Sequence, residues 1–323
     1  FQAEDGIRDR SPSRGLGDVY KRQRLYFAIF SMFAATIIVF CMSRLIGDPL
    51  LLYAQAGGYG MPPEQKEYLR QYLGLDKPLI VQYFVWIWNA LQGDLGKSLL
   101  DRTPVSTMIW EKLPATAYLA GTAWLFAILT GVPLGIISSI KRGGITDYLA
   151  RGFSLFGQAL PTFWIAIVAI LIFAVQLDWL PAFGMGESNE SFWAKSKHFI
   201  LPTITLGWGG SATYTRLTRS AMLEIMDSEF VKLARAKGVS TNRVIWKHAF
   251  RNALIPPITY SALFLAGFIT GATVVELVFS WPGIGRLAIQ AVVNNDFALL
   301  TGTVLFSRLL ICFCIFGRCY VWI

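Results

Sequence analysis

Apolar runs long enough to cross a bilayer recur along the chain, separated by polar stretches with turn residues. A membrane helix needs about 20 mostly apolar residues. Runs of this kind lie at 25–45, 115–140, 153–175 and 254–275, and a further one begins at Phe297. A weaker run at 200–214 carries Pro202 and several glycines. Membrane helices tolerate such residues where neighbours restore the lost backbone bonds. The pattern predicts an all-α, polytopic membrane protein with about six transmembrane helices.

Orientation follows from Lys and Arg, which concentrate in cytoplasmic loops. The 141–151 loop holds Lys141, Arg142 and Arg151. The 216–251 loop holds Arg216, Arg219, Lys232, Arg235, Lys237, Arg243, Lys247 and Arg251. The 177–199 and 278–296 loops are poorer, with Lys195, Lys197 and Arg286. The basic loops and both termini are therefore expected inside. The 46–112 segment is then a small extracytoplasmic insert after the first helix. Within it, Pro63 and Glu64 suit the start of a short helix with Leu69 and Leu73 on one side and Gly74 as its stop. A second amphipathic stretch places Phe84, Ile87, Trp88 and Leu91 on one face. Trp86 and Trp88 suit the membrane interface.

Composition sharpens the class. Hydrophobic residues make up 54% and charged residues 15%, against about 25% charged in soluble chains. Disorder and a disulfide scaffold are excluded. The net charge of +9 reads as cytoplasmic Lys and Arg enrichment, with no basic face on a soluble domain for nucleic acid. Cys41 stands alone, and Cys312, Cys314 and Cys319 lack zinc-ligand spacing.

Both ends look foreign to the rest. Residues 1–23 are polar and mixed in charge, and they resemble translated sequencing-adapter read-through. Residues 307–323 introduce Arg308 at mid-span and three cysteines, as a frame shift near Phe306 would. The 24–306 stretch is the expected transmembrane domain.

Catalytic patterns are missing. Gly93-Asp94-Leu95-Gly96-Lys97-Ser98 looks like the end of a phosphate loop, yet Leu91 stands where the pattern needs glycine. No G-x-S-x-G or H-E-x-x-H motif occurs. Glu276 is the main carboxylate within the spans, near the outer end of the fifth. It either pairs at a helix end or marks a polar point on a substrate path.

The 227–256 loop is the most patterned polar segment. Asp227 or Ser228 can cap a short helix in which Phe230, Leu233 and Ala234 share a face and Lys232 and Arg235 turn away. Gly238 can take the positive φ that ends it. Ser240 can cap the next helix, which carries Val244, Ile245, His248 and Ala249 toward Pro256. Such a helix–glycine–helix knob either inserts into a groove on a partner or packs on the bundle's own ends. His248 reads as a hydrogen-bonded loop residue rather than a ligand.

Here the chain resembles the membrane-spanning permease subunits of binding-protein-dependent ABC importers, in the dipeptide/oligopeptide and nickel branch. The resemblance rests on Ala234-Arg235-Ala236-Lys237-Gly238 and on His248-Ala249-Phe250-Arg251-Asn252-Ala253-Leu254-Ile255-Pro256. Gly47-Asp48-Pro49, Leu73-Gly74-Leu75-Asp76-Lys77-Pro78, Gly93-Asp94-Leu95-Gly96, Leu113-Pro114-Ala115-Thr116 and Leu160-Pro161-Thr162-Phe163-Trp164 agree in order. So do Thr215-Arg216-Leu217-Thr218-Arg219-Ser220 and Phe279-Ser280-Trp281-Pro282-Gly283. The family's Glu-Ala-Ala triplet, followed by three residues and Gly, is met here only by Ala234 and Gly238. Lys232-Leu233-Ala234 stands at the triplet.

The resemblance implies a coupling loop that docks into a cytoplasmic ATPase through Glu229, Phe230, Leu233, Ala234, Arg235, Ala236, Lys237, Gly238, His248, Arg251 and Asn252. It implies a pathway or outer-gate role for Glu276, Trp281, Pro282 and Gly283. The implied partners are a second permease, as a heterodimer, two ABC ATPases, an extracytoplasmic substrate-binding protein and the lipid of a bacterial inner membrane. No catalytic residue and no cofactor belong to this chain, since ATP and Mg would sit in the ATPases. The implied cargo is di- and oligopeptides, with nickel, glutathione or another small solute as the alternative within the family. A self-contained secondary transporter or channel is the rival class. The coupling loop and the paucity of intramembrane charge argue against it.

Overall fold

The computed structural model of the chain describes residues 75–187 and 189–321 continuously, with 29–42 and scattered single positions ahead of them. The helix expected after Pro63 rests on Leu69, Leu73 and Gly74, which lie outside the described residues, as does the 1–22 tail. Among the described residues the regular elements are helical, beside an isolated bridge between Lys97 and Pro104. They fall into two units, residues 1–106 with 291–323 and residues 107–290.

The first unit contains α1 (Ile29–Met42) and α2 (Leu79–Leu91). Phe40 of α1 is buried against the rings of Tyr83 and Trp86, and Thr36 Oγ1 bonds Tyr83 Oη at 2.9 Å. Most of the amphipathic face of α2 is turned away from this contact. Phe84, Trp88 and Leu91 are exposed. An apolar face need not be the packed face in a chain whose surroundings include lipid.

The phosphate-loop lookalike has a structural use. Gly93 and Gly96 take φ of 85° and 84°, and Asp94 Oδ1 accepts the Gly96 N–H at 2.9 Å. Ser98 Oγ donates to Asp296 Oδ2 at 2.5 Å, and the Leu99 N–H joins it at 3.0 Å. Asp296 Oδ1 accepts the Leu299 N–H at 3.1 Å, so this buried carboxylate also caps the long helix that follows it, Phe297–Val321. That helix continues through Ser307, whose Oγ donates to Thr303 O, and through the exposed Arg308.

The second unit is built on α3 (Val105–Ile140) and α6 (Phe192–Met226). Between them stand α4 (Ile145–Ala159) and α5 (Thr162–Ala169), the latter running on as a π-helical stretch, Ile170–Gln176. The unit's later elements are α7 (Glu229–Ala236), α8 and α9 (Ile255–Val278). We designate as α8 the run Thr241–Arg243, π-helical Val244–Ala249 and Phe250–Ala253. Helices α10 (Ile284–Val293) and α11 (Phe297–Val321) complete the order.

Small residues bring α3 and α6 together. Ala123, Ala127, Gly131 and Gly135 follow one another every four residues on α3, as Gly207, Ser211 and Thr215 do on α6. That spacing lines one face of each helix. A Cβ on Gly131 would lie 2.5 Å from Ser211 O, and one on Gly135 would lie 2.7 Å from Thr215 O. Thr130 and Ser211 hydroxyls bond at 2.6 Å across the same seam. Without a hydrophobic drive between helices in lipid, such close backbone packing and bonding hold them. Helix α9 joins through Phe264, whose ring fills the space above Gly210, and through Tyr214 Oη bonded to Ser261 Oγ at 2.6 Å.

Two expectations about the spans change. The run at 153–175 is not straight. The α4–α5 pair bends by 105° at Leu160-Pro161, where Leu160 takes an extended ψ of 131°. A residue before proline is pushed out of the helical region. The 200–214 run is only the middle of α6, which Ser191 caps through its bond with the Ala194 N–H. By length and apolarity, α3 qualifies to cross a membrane among the described residues, and the bent α4–α5 pair makes a second.

Candidate coupling site

Helix α7 begins after Ser228, whose Oγ donates to Ile225 O at 2.5 Å instead of capping. It ends as its sequence demands. Gly238 takes φ 75°. Its N–H donates to Arg235 O at 2.9 Å, and the Val239 N–H donates to Ala234 O at 3.2 Å. This pair of bonds is the Schellman arrangement, which glycine alone adopts without a side-chain penalty. Ser240 occupies the cap position of the next helix, with no side-chain bond in that role.

The two faces of α7 differ from the expected division. Val231 is fully buried and anchors the helix, whereas Phe230 and Leu233 are 46% and 56% exposed. Ala234 lies between the two faces, half-buried. Glu229, Lys232, Arg235, Ala236, Lys237 and Gly238 are exposed. Glu229 and Lys232 pair at 2.8 Å, an exposed contact of little energetic weight. The outward face is therefore apolar at its centre and charged at its margins.

The α8 run is set into the unit. Ile245, Ala249 and Ala253 are buried in one cluster with Val132, Ile136, Tyr214 and Met222. His248 is half-buried, and its carbonyl accepts Asn252 Nδ2 at 2.9 Å. Arg251 and Asn252 are exposed. Trp246 is half-exposed and meets Phe250 edge to face at 5.5 Å.

A second constellation gathers Glu276, Trp281, Pro282 and Gly283. Glu276 is fully buried. Its Oε1 accepts Thr116 Oγ1 at 2.7 Å, and its Oε2 accepts the Arg286 N–H at 3.0 Å. Thr116 Oγ1 in turn accepts the Ile284 N–H at 2.9 Å. Trp281, also fully buried, donates Nε1–H to Ala115 O at 2.9 Å. A Cβ on Gly283 would collide with the Glu276 carboxylate, so glycine is required by close approach. Pro282 is half-buried in the same turn. Buried carboxylates of this kind persist where hydrogen bonds satisfy both oxygens.

Sequence reasoning missed a third group. Asp147, ahead of the apolar part of its run, is 1% exposed. Arg219 donates Nε–H to its Oδ1 at 2.7 Å and Nη2–H to its Oδ2 at 3.0 Å. Ser138 Oγ and the Gly143 N–H complete the cage at 2.6 and 3.0 Å. The Arg219 bonds, with those from Ser138 and Gly143, hold this carboxyl well below the usual range against the opposing effect of burial. The Arg219 guanidinium is raised by the same partner. Asp147 and Arg219 carry no local signal of pairing, although a lone carboxylate beside a membrane run is a cue to seek a cation.

Residues 131–321 match the family described as binding-protein-dependent transport system inner membrane component. A peptide transport system permease protein of Brucella suis is 39% identical over 285 residues, covering 88% of this chain and 90% of its own length. The dipeptide transport system permease protein DppB of Escherichia coli K12 is 35% identical over 307 residues, with the same coverage. The di/tripeptide permease DppB of Pseudomonas aeruginosa is 36% identical over 310 residues, covering 90% of this chain and 92% of its own. Among solved structures, the inward-facing MetNI methionine ABC transporter shares the fold, with a TM-score of 0.54 at 15% identity over 66% of this chain and 94% of that one. The chain belongs to the inner membrane component family of binding-protein-dependent transport systems, as a permease subunit of an ABC importer.

Proposed function

We propose that this chain forms half of a translocation pathway for di- and oligopeptides and is driven through α7 by a cytoplasmic ATPase subunit. The observation that carries the coupling role is the outward face of α7. It presents Phe230 and Leu233 on a short helix that Val231 anchors and Gly238 stops. Exposed apolar side chains ringed by Glu229, Lys232, Arg235 and Lys237 are the composition of a docking patch. The burial of Ile245, Ala249 and Ala253 gives a displacement of the loop a path into α3 and α6. ATP and Mg belong to the ATPase partners in this reading. A second permease completes the pathway, and an extracytoplasmic binding protein delivers the cargo.

Peptide cargo rests on the likeness to peptide and dipeptide permeases. For Glu276 the occupied state of both carboxylate oxygens supports pairing over solute contact. Trp281, Pro282 and Gly283 then form a fixed outer turn against which the pathway closes.

The test is uptake by the reconstituted importer, with its second permease, ATPases and binding protein in proteoliposomes. Labelled dipeptides and tripeptides should accumulate only with ATP, and nickel or glutathione should not. Accumulation of a non-peptide solute alone would replace the cargo. Accumulation without ATPase subunits would overturn the importer reading.

A further inference from the structure

The Asp147 carboxylate joins four pieces of backbone at one point. Ser138 lies near the end of α3, Gly143 in the turn after it, Asp147 in the first turn of α4, and Arg219 on α6. Arg219 Nε also reaches Ser138 Oγ at 3.0 Å, so Arg219 touches both α3 and α4. Arg151 approaches Asp147 Oδ1 at 3.6 Å from a half-exposed position over the Tyr148 ring. The fork of a guanidinium on two carboxylate oxygens fixes orientation as well as distance. Directly beside this point, Gly135 packs on Thr215 O, Thr218 Cβ and the Arg219 N–H with no room for a side chain.

Arg219 stands about two helical turns before the end of α6 at Met226. The link onward to α7 is short and tied by backbone bonds. The Asp227 N–H donates to Leu223 O, the Ser228 N–H to Ile225 O, and the Lys232 N–H to Ser228 O. A push on α7 therefore meets a stiff connection that ends in the Arg219 fork.

We infer that the Asp147–Arg219 pair is a positioning element of transport, which locks α3, α4 and α6 into one body that moves with the coupling helix. The inference rests on the coupling role proposed for α7. Neither residue contacts cargo or nucleotide in this account. A buried ion pair is weak evidence for stability, since well-packed apolar replacements of similar volume are often tolerated. Its rigidity is what the transport cycle uses.

The experiment compares Arg219→Lys and the neutral pair Asp147→Asn/Arg219→Gln in the complete importer in proteoliposomes. Arg219→Lys keeps the charge and loses the fork. Two quantities are read, assembly with the ATPases and the ratio of cargo moved to ATP hydrolysed. The expected result is an assembled complex that hydrolyses ATP while the ratio falls at least about fivefold, the lower end of typical coupling. An assembled Arg219→Lys importer with an unchanged ratio would overturn the inference, as would failure of both variants to assemble, which is the signature of a purely structural pair. Phe230→Ser/Leu233→Ser serves as the companion. If it leaves ATPase retention intact, the coupling reading of α7 fails. If it abolishes retention while the Arg219→Lys ratio holds, only the lock fails.

Discussion

The Thr116 hydroxyl donates to Glu276 Oε1 at 2.7 Å while accepting the Ile284 N–H at 2.9 Å. One side chain near the start of α3 thus fixes both the end of α9 and the turn that follows it. Thr116→Val removes the donor and leaves a buried backbone N–H unpaired, each a group that is costly to bury unsatisfied. A loss of about 1–3 kcal/mol is expected, read as a lower denaturation midpoint of the purified protein. Gly283→Ala should cost about 1–3 kcal/mol by overpacking, because its Cβ would collide with the Glu276 carboxylate. Glu276→Gln with intact assembly but lost uptake would favour a solute path through Glu276.

The seam between α3 and α6 predicts a contrast between two glycines of one helix. Gly131→Ala places a Cβ 2.5 Å from Ser211 O, whereas Gly121 has nothing within 4 Å of that position. Gly131→Ala should therefore lower the yield of folded protein in membranes. Gly121→Ala should be neutral or slightly stabilising, as alanine favours helix. Equal yields of the two variants would contradict the packing described for α3.

Much of this architecture is legible along the chain, for a simple reason. Apolar runs mark the spans, and Gly238 sits where a short amphipathic helix must stop. Apolarity does not mark helix ends, so the polar turns of α6 on either side of 200–214 escape it. Pro161 is a visible cue to the α4–α5 bend, yet the apolar residues on both sides of it read as one span. The amphipathic pattern of α2 does not say which face packs, because amphipathicity points inward only when water lies outside, and Phe84, Trp88 and Leu91 are exposed. Long-range pairs are the other gap. Asp147 with Arg219 and Thr116 with Glu276 are joined by the fold, and no local pattern announces either.

Gly238 should separate conformational strain from loss of the stop signal. Gly238→Ala faces open space but a φ of 75°, a strain of about 1–2 kcal/mol for an L residue. It should reduce uptake partially. Gly238→Pro cannot adopt that φ and lacks the N–H that reaches Arg235 O. It should abolish ATP-driven uptake while the protein remains in the membrane. Normal uptake by a well-expressed Gly238→Pro variant would refute the coupling role of this turn.

The lowered pKa of Asp147 sets the sign of a pH effect. A folded value below the unfolded one, near about 3.9, gives stabilisation that is complete above that pH. It is lost as pH falls through the unfolded value toward the folded one. The stability difference between the unmodified protein and Asp147→Asn should therefore stay constant from about pH 6 to 8 and shrink below about pH 4. Denaturation midpoints across that range check it. A difference that changes between pH 6 and 8 would show that another group governs the pair.

The coupling role proposed for α7 requires its outward face to meet an ATPase. The most direct measurement places a photoreactive residue at position 233 or 231 in the assembled importer and maps the crosslinks by mass spectrometry. Position 233 is half-exposed and position 231 fully buried on the same short helix. A crosslink is expected from 233 to the ATPase subunit, and from 231 only within this chain. Crosslinks from 233 confined to this chain or to lipid would contradict it.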